Sequence, residues 1–268
     1  MSAKFNEEKM YTYLKGFAAG QQWHDTIGAL AFARAKHKGQ MRKSGEPYIV
    51  HPLTMANHAI ALGVREDAII ATLLLHDVCE DCDVRPDALP VSEKTREAVR
   101  LLTRVKGEPL EPYYRQIGEN RIAAIAKLFD RCNNVSTMAG VFTLAKTQEY
   151  IDETRGYVLP LLRQAKDQWP EDSNLFFVLK YHIISVVDGL EACLQAAASA
   201  SQTIAVAESD EGQQEDFCPI CGGELEWNGD RDIQDDGAVA TWSCPKCGVS
   251  GKAAWNLVFD EHFGIEEG

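Results

Sequence analysis

Apolar positions recur at helical spacing through most of residues 1–194, and the alternation of a half-buried strand is absent before residue 200. Ile27 to Lys36 is Ala-rich and periodic. Leu53 to Leu62 carries apolar residues at helical spacing behind Pro52, a residue that a first helical turn tolerates. Asp67 to Val78 is almost continuously apolar, which predicts a helix buried on all sides. Glu93 to Leu102 has Ser92 as its expected N-cap, and Ile122 to Met138 predicts a long helix. Further helices are expected over Leu144 to Lys166, with a break or kink at Pro160, and over Asn174 to Leu194. Residues 39–51 (GQMRKSGEPYIVH) are rich in turn formers and read as a loop between helices.

From Gln195 the character changes. Residues 195–216 (QAAASASQTIAVAESDEGQQED) are small and acidic and read as a linker, into whose first residues the last helix can extend. A short Cys-rich module follows, with strands expected at Glu224–Trp227 and Ala238–Ser243. The expected fold is mainly α: a helical domain over 1–194, a linker over 195–216 and a small β-rich module over 217–268.

Composition narrows the class. Hydrophobic residues at 45% and charged residues at 25% are those of a soluble globular chain. The longest apolar candidate, Leu175 to Val187, is interrupted by Lys180, Tyr181, His182 and Ser185, so no membrane span is expected. The polar N-terminus shows no signal peptide, and a cytoplasmic address is expected. The net charge of −13 is uneven: residues 1–200 carry 24 basic against 25 acidic side chains, residues 201–268 only 3 against 15. An acidic C-terminal quarter repels a phosphate backbone and argues against nucleic-acid binding there.

Chemistry concentrates at His76-Asp77, which ends the apolar run. Burying an unpaired carboxylate is costly, so a cation partner is expected beside it. Mixed nitrogen and oxygen donors suit Mn²⁺, Fe²⁺ or Mg²⁺ better than a thiolate-seeking ion. Glu80 and Asp81 follow, with Glu80 one turn from His76 on the same face. A carboxylate there can accept a proton from a water whose pKa a metal lowers. Alone, this pattern is also that of a helix end bearing surface acids. His51 alone fits a capping or core histidine, and Asp130 alone fits half of a surface pair with Arg131.

Three stretches taken in order carry more. AKHKGQMRKSGEPYIVHPL (35–53), ATLLLHDVCED (71–81) and AKLFDRCNN (126–134) resemble the hydrolase domain of the RelA/SpoT alarmone family, and the likeness extends over residues 25–140. The resemblance implies an all-helical HD domain. It implies His51, His76, Asp77 and Asp130 as ligands of a divalent metal, usually Mn²⁺ in that family. It implies Glu80 and Asp81 as the residues that activate and place the attacking water. Arg42, Lys43 and Ser44 fall where the family contacts the guanosine part of its substrate, and Asn134 and Thr137 match further substrate-contacting positions. A planar guanidinium at Arg42 suits stacking on a purine, and Lys43 adds charge for phosphate. LTRVKGEPLEPYY (102–114) resembles a stretch of stand-alone HD phosphohydrolases, in which Arg104, Lys106 and Tyr114 would meet a pyrophosphate; a solvated loop is the other reading.

The chain departs from the family at Asn133, where a His is usual, and at Phe129, where a small residue is common; Phe129 is expected to narrow the pocket. Residues 141–194 are too short for the synthetase half of bifunctional members. The implied reaction is therefore hydrolysis of guanosine 3′,5′-bis(diphosphate) (ppGpp, or pppGpp) to GDP or GTP and pyrophosphate, without synthesis. Other readings are another purine nucleotide or NADPH as substrate, or a nucleotide sensor without turnover.

The C-terminal module has its own signal. Cys218-Pro-Ile-Cys221-Gly and Cys244-Pro-Lys-Cys247-Gly form two knuckles separated by residues 222–243. Four thiolates at this spacing satisfy tetrahedral Zn²⁺ and leave no position open for water, so a structural zinc ribbon is expected. Its acidic balance favours a protein partner or a regulatory role, and self-association through the ribbon is the other expectation.

Overall fold

The computed structural model describes residues 5–105, 107–210, 217–234, 237–255 and 259–266. The chain separates into two compact units, Met1–Leu194 and Gln195–Gly268. The first is helical: α1 (Glu7–Gly20), α2 (His24–Lys36), α3 (Val50–Ala61), α4 (Asp67–Leu75), α5 (Val78–Asp81), α6 (Glu93–Leu102), α7 (Leu110–Gly118), α8 (Arg121–Thr137), α9 (Leu144–Glu153), α10 (Leu159–Gln168) and α11 (Ser173–Asp210), whose residues from 195 on fall in the second unit.

The core is built around α4. Every residue from Ala68 to Leu75 is buried, and the helix packs against α2, α3, α6 and α8. Each fully buried Leu or Ile there contributes roughly 1.5–3 kcal/mol. Polar clamps fix the surroundings. The Asp67 carboxylate accepts from the backbone N–H groups of Asp25 and Thr26 at 3.0 and 2.7 Å, which satisfies orphan donors at the start of α2. Asp25 in turn accepts from Ser92 N at 2.8 Å and Thr95 Oγ1 at 2.6 Å at the start of α6. The expected N-cap Ser92 makes no side-chain capping bond, because its hydroxyl is turned to Asp25 instead.

Several boundaries differ from the sequence expectation. The run 67–78 is not one helix: α4 ends at Leu75, and Asp77 takes φ −99°, ψ −6° before α5 begins. Between α9 and α10 the chain makes a π-helical turn, Thr154–Val158, and Pro160 follows directly behind it, so the helical path from Leu144 to Gln168 changes its turn there and is not interrupted. Residues 195–210, expected to be mostly linker, continue α11. Their run of alanines has high helix propensity, which outweighs the shift towards small polar residues. The rest of the expected linker, 211–216, lies outside the described residues.

The second unit holds a four-stranded antiparallel sheet in the order β1 (Glu226–Gln234), β2 (Gly237–Ser243), β3 (Ser250–Trp255) and β4 (Phe259–Glu266). Trp242 is fully buried on it, packed with Ala240, Val249 and Ala253. A Cβ on Gly251 would lie 2.6 Å from the Trp242 ring, so only glycine fits at that contact. The expected strand at 224–227 begins instead at Glu226, after an isolated bridge between Phe217 and Glu224.

Candidate functional site

Four helices bring four side chains close together. His51 stands in the first turn of α3, His76 and Asp77 in the break between α4 and α5, and Asp130 in the middle of α8. On a continuous helix neighbouring residues point about 100° apart; here Asp77 departs to φ −99°, ψ −6°, and its carboxylate lies beside the His76 ring. His76 Nε2 lies 3.2 Å from His51 Nε2 and 2.9 Å from Asp77 Oδ2. His51 Nε2 lies 3.6 Å from Asp77 Oδ2 and 3.4 Å from Asp130 Oδ1, which is 3.7 Å from His76 Nε2.

This donor set fits a divalent cation. His76 Nδ1 donates to Leu73 O at 3.0 Å and His51 Nδ1 to Asn133 Oδ1 at 2.6 Å. A neutral pair therefore turns two Nε2 lone pairs towards each other beside two carboxylates, an arrangement that needs positive charge between the groups. Two nitrogens each about 2.1 Å from an ion lie roughly 3 Å apart. Burial opposes protonation of His76, but Asp77 and Asp130 overcome it and hold the imidazole up to about 10. Burial also works against the charge of Asp130, yet Lys127 and the histidines keep its carboxyl well below the usual range. A divalent ion answers this demand at all four groups at once.

Around this centre a cleft of about 450 Å³ opens. Glu80 and Asp81 line it from α5, and Arg42, Lys43 and Ser44 from the loop before α3. Asn134 and Thr137 line it from α8. Burial raises the Glu80 carboxyl pKa, partly offset by the Arg104 N–H that Glu80 accepts, and the charges of Asp77 and Asp81 push it further up. The loop is held as a tight hairpin, with Arg42 N donating to Glu46 O at 2.8 Å and Gly45 N to Arg42 O at 2.9 Å. Lys43 Nζ lies 4.9 Å from the Phe142 ring centroid, and Ser44 Oγ donates to Glu46 at 3.4 Å.

Residues 29–163 match the HD domain family. The chain belongs to that family. It is 36% identical over 143 residues to a protein of Aquifex aeolicus (strain VF5) named guanosine-3′,5′-bis(diphosphate) 3′-pyrophosphohydrolase, covering 50% of this chain and 20% of that one. It is 30% identical over 146 residues to a probable enzyme of the same name from Synechocystis, covering 50% and 19%. It is 30% identical over 179 residues to a probable GTP pyrophosphokinase of Mycobacterium leprae, covering 60% and 22%. The chain thus spans about a fifth of the length of these relatives.

The HD domain also holds residues that the sequence patterns did not single out. Tyr48 donates its hydroxyl to Asp77 Oδ2 at 2.6 Å, and its ring stacks on His37. Burial and the Asp77 charge raise the phenol pKa far enough that it stays a donor. Lys127, one turn before Asp130, reaches Asp130 Oδ2 at 3.3 Å from the cleft wall. An i, i+3 lysine beside a suspected ligand was the available signal. Two expectations are corrected. Phe129 does not narrow the cleft: it is fully buried on another face of α8, edge-on to His58. Tyr114 does not line the cleft, being buried on α7, where it donates to Glu153 at 2.5 Å. Arg104 does line the cleft, and Lys106 lies outside the described residues.

In the second unit the four cysteines of the knuckles come together. Cys218 and Cys247 Sγ are 3.7 Å apart, Cys221 and Cys244 Sγ 3.6 Å. All four sulfurs lie within 4.8 Å of one another. A disulfide would hold two sulfurs at about 2.0 Å. Four sulfurs about 2.3 Å from one tetrahedral ion lie about 3.8 Å apart, which is what the cluster presents. Gly222 and Gly248 take φ +64° and +76°, and their N–H groups donate to Cys218 O and Cys244 O at 2.8 and 2.9 Å, closing each knuckle.

Proposed function

We propose that the cleft carries out metal-dependent hydrolysis of ppGpp or pppGpp, removing the 3′-pyrophosphate to give GDP or GTP, with no synthetase activity. The observation that carries this reading is the cluster of His51, His76 and Asp77, with Asp130 Oδ1 3.4 and 3.7 Å from the two imidazoles, at the base of a cleft whose rim bears Arg42, Lys43 and Ser44. The family and the names of the similar proteins support the same chemistry.

In this reading the four ligands hold a divalent ion, Mn²⁺ by resemblance. Such an ion supplies Lewis acidity towards a phosphoryl oxygen and lowers the pKa of water. Glu80, whose burial raises its pKa, takes the proton of the attacking water, and Asp81 orients that water. The water oxygen bonds to phosphorus, the bond from that phosphorus to the ribose 3′-oxygen breaks, and the 3′-oxygen takes up a proton from solvent water while Glu80 returns its own to solvent. Lys127, which burial disfavours as a cation but the Asp130 carboxylate keeps charged, faces the phosphoryl oxygens. Arg42 offers the face of its guanidinium to guanine. Lys43 and Ser44 meet phosphate and ribose, with Asn134 and Thr137 behind Arg42. In the second unit Cys218, Cys221, Cys244 and Cys247 hold a structural Zn²⁺, and that module contacts a protein partner or a second copy.

A side-by-side assay of ppGpp, pppGpp, GTP, ATP and NADPH with added Mn²⁺ tests the substrate. The reading predicts fastest turnover of ppGpp or pppGpp. Faster turnover of another nucleotide would reassign the substrate, and guanine-nucleotide binding without turnover would make the protein a sensor.

A further inference from the structure

Arg42 belongs to the loop before α3, yet its guanidinium lies against α8. Nη1 donates to Asn133 Oδ1 at 3.1 Å. Nη2 donates to Asn134 Oδ1 at 3.2 Å and to Thr137 Oγ1 at 3.4 Å. Each asparagine leads inward. Asn133 Oδ1 lies 2.6 Å from His51 Nδ1, and Asn134 Nδ2 donates to Asp130 Oδ1 at 2.6 Å. The two arms of one guanidinium therefore end on two of the four candidate metal ligands.

The donor inventory makes this a chain of forced choices. A guanidinium carries only donors, so the amide atom that each arm meets is oxygen. Asn133 Oδ1 can only accept, so His51 must carry its proton on Nδ1. That leaves the Nε2 lone pair for a metal. With its oxygen held by Arg42, Asn134 turns its NH₂ to Asp130, which can only accept while ionised. Arg42 thus sets the tautomer of one ligand and the orientation of another without touching the point where they converge.

We propose that Arg42, acting through Asn133 and Asn134, is a positioning residue for the metal centre. The proposal rests on the metal-centre reading above. It gives the Asn at position 133 a defined task, orienting His51, in a place where the resembled family usually has a histidine.

The sign of a metal titration separates this from simple electrostatics. Removing a cation near a divalent ion should, by charge alone, strengthen metal binding. The fork requires the reverse. Mn²⁺ affinity is measured on the nucleotide-free full chain by following free Mn²⁺ in a paramagnetic resonance titration. Arg42→Ala and Arg42→Lys should each weaken binding about 10-fold, within the 10–100-fold range typical of lost ligand-orienting partners. Lysine keeps the charge but is a point donor that cannot hold two amides in a fork. Asn133→Ala should weaken binding similarly, and adding Arg42→Ala to it should cost less than in the parent. Thermal melting of the metal-free variants checks the fold, and Arg42→Lys stands in if Arg42→Ala does not fold. Unchanged or tighter Mn²⁺ binding in both Arg42 variants overturns the proposal. Full additivity of Arg42→Ala and Asn133→Ala overturns the route through Asn133. A parent chain that binds no Mn²⁺ would instead remove the metal-centre reading itself.

Discussion

At the scale of single residues the site divides into groups that converge on one point and groups that aim them. Tyr48 illustrates the second kind, since it donates its hydroxyl at 2.6 Å to the Asp77 Oδ2 that sits 2.9 Å from His76 Nε2. Tyr48→Phe keeps the stacking on His37 and removes only that bond. It should weaken Mn²⁺ binding about 10-fold, measured by the same titration, with little change in melting temperature. Glu80→Gln should do the opposite: metal affinity stays, while kcat falls by about 10²–10⁴. That His51, His76, Asp77, Glu80 and Asp130 would lie near one another was legible in the sequence because a charged pair after an apolar run needs a cation, and because three motifs recur in order. Tyr48, Asn133 and Lys127 were not. The tasks of Tyr48 and Asn133 depend on partners that only packing brings close, 29 and 82 residues away, whereas Lys127 was overlooked despite its i, i+3 spacing to Asp130.

Among the elements, α8 carries the greatest burden, because one face bears Asp130 and another ties it to α7 and α9. Arg131, buried, stacks 4.9 Å from the Tyr150 ring centroid and donates to Glu153 at 2.5 Å, which also accepts from Tyr114. Burial raises the Glu153 carboxyl pKa, but Arg131 and the Tyr114 hydroxyl outweigh it, and the net shift is downward from 4.5. A lowered folded pKa adds stability that is present above the unfolded value near 4.5 and is lost as pH falls through the folded value. Glu153→Gln should therefore cost roughly 3 kcal/mol at pH 7 by denaturant melting, and the difference from the parent should shrink below about pH 4. The helices α4, α6 and α8 were legible from periodicity. The break at His76-Asp77 was not, because the apolar run continues to Val78 and no Gly or Pro marks it. Helix α7 was missed for a different reason: Pro109, Pro112 and Gly107 make 102–114 look like loop, although Pro112 lies in the first turn of α7, where it is tolerated.

For the whole molecule, the mainly helical HD domain followed by a small β-rich cysteine module was readable from the change of pattern after residue 200. The length of α11 was not, since alanine serves linker and helix alike and only its propensity decides. The acidity of residues 201–268 and the cysteine cluster belong to the second unit, while the cleft belongs to the first. Cys244→Ser should remove one equivalent of zinc by metal analysis, with far-UV helicity and Mn²⁺ affinity retained. Loss of Mn²⁺ binding in that variant would tie the two metal groups together. The central claim is metal-dependent hydrolysis at the His51, His76, Asp77 and Asp130 centre, and it is tested most directly by pyrophosphate release from ppGpp. With Mn²⁺ the parent chain should release one pyrophosphate per GDP formed, and His76→Ala or Asp77→Ala should release none. No release with any divalent metal, or release that persists in both variants, would contradict it.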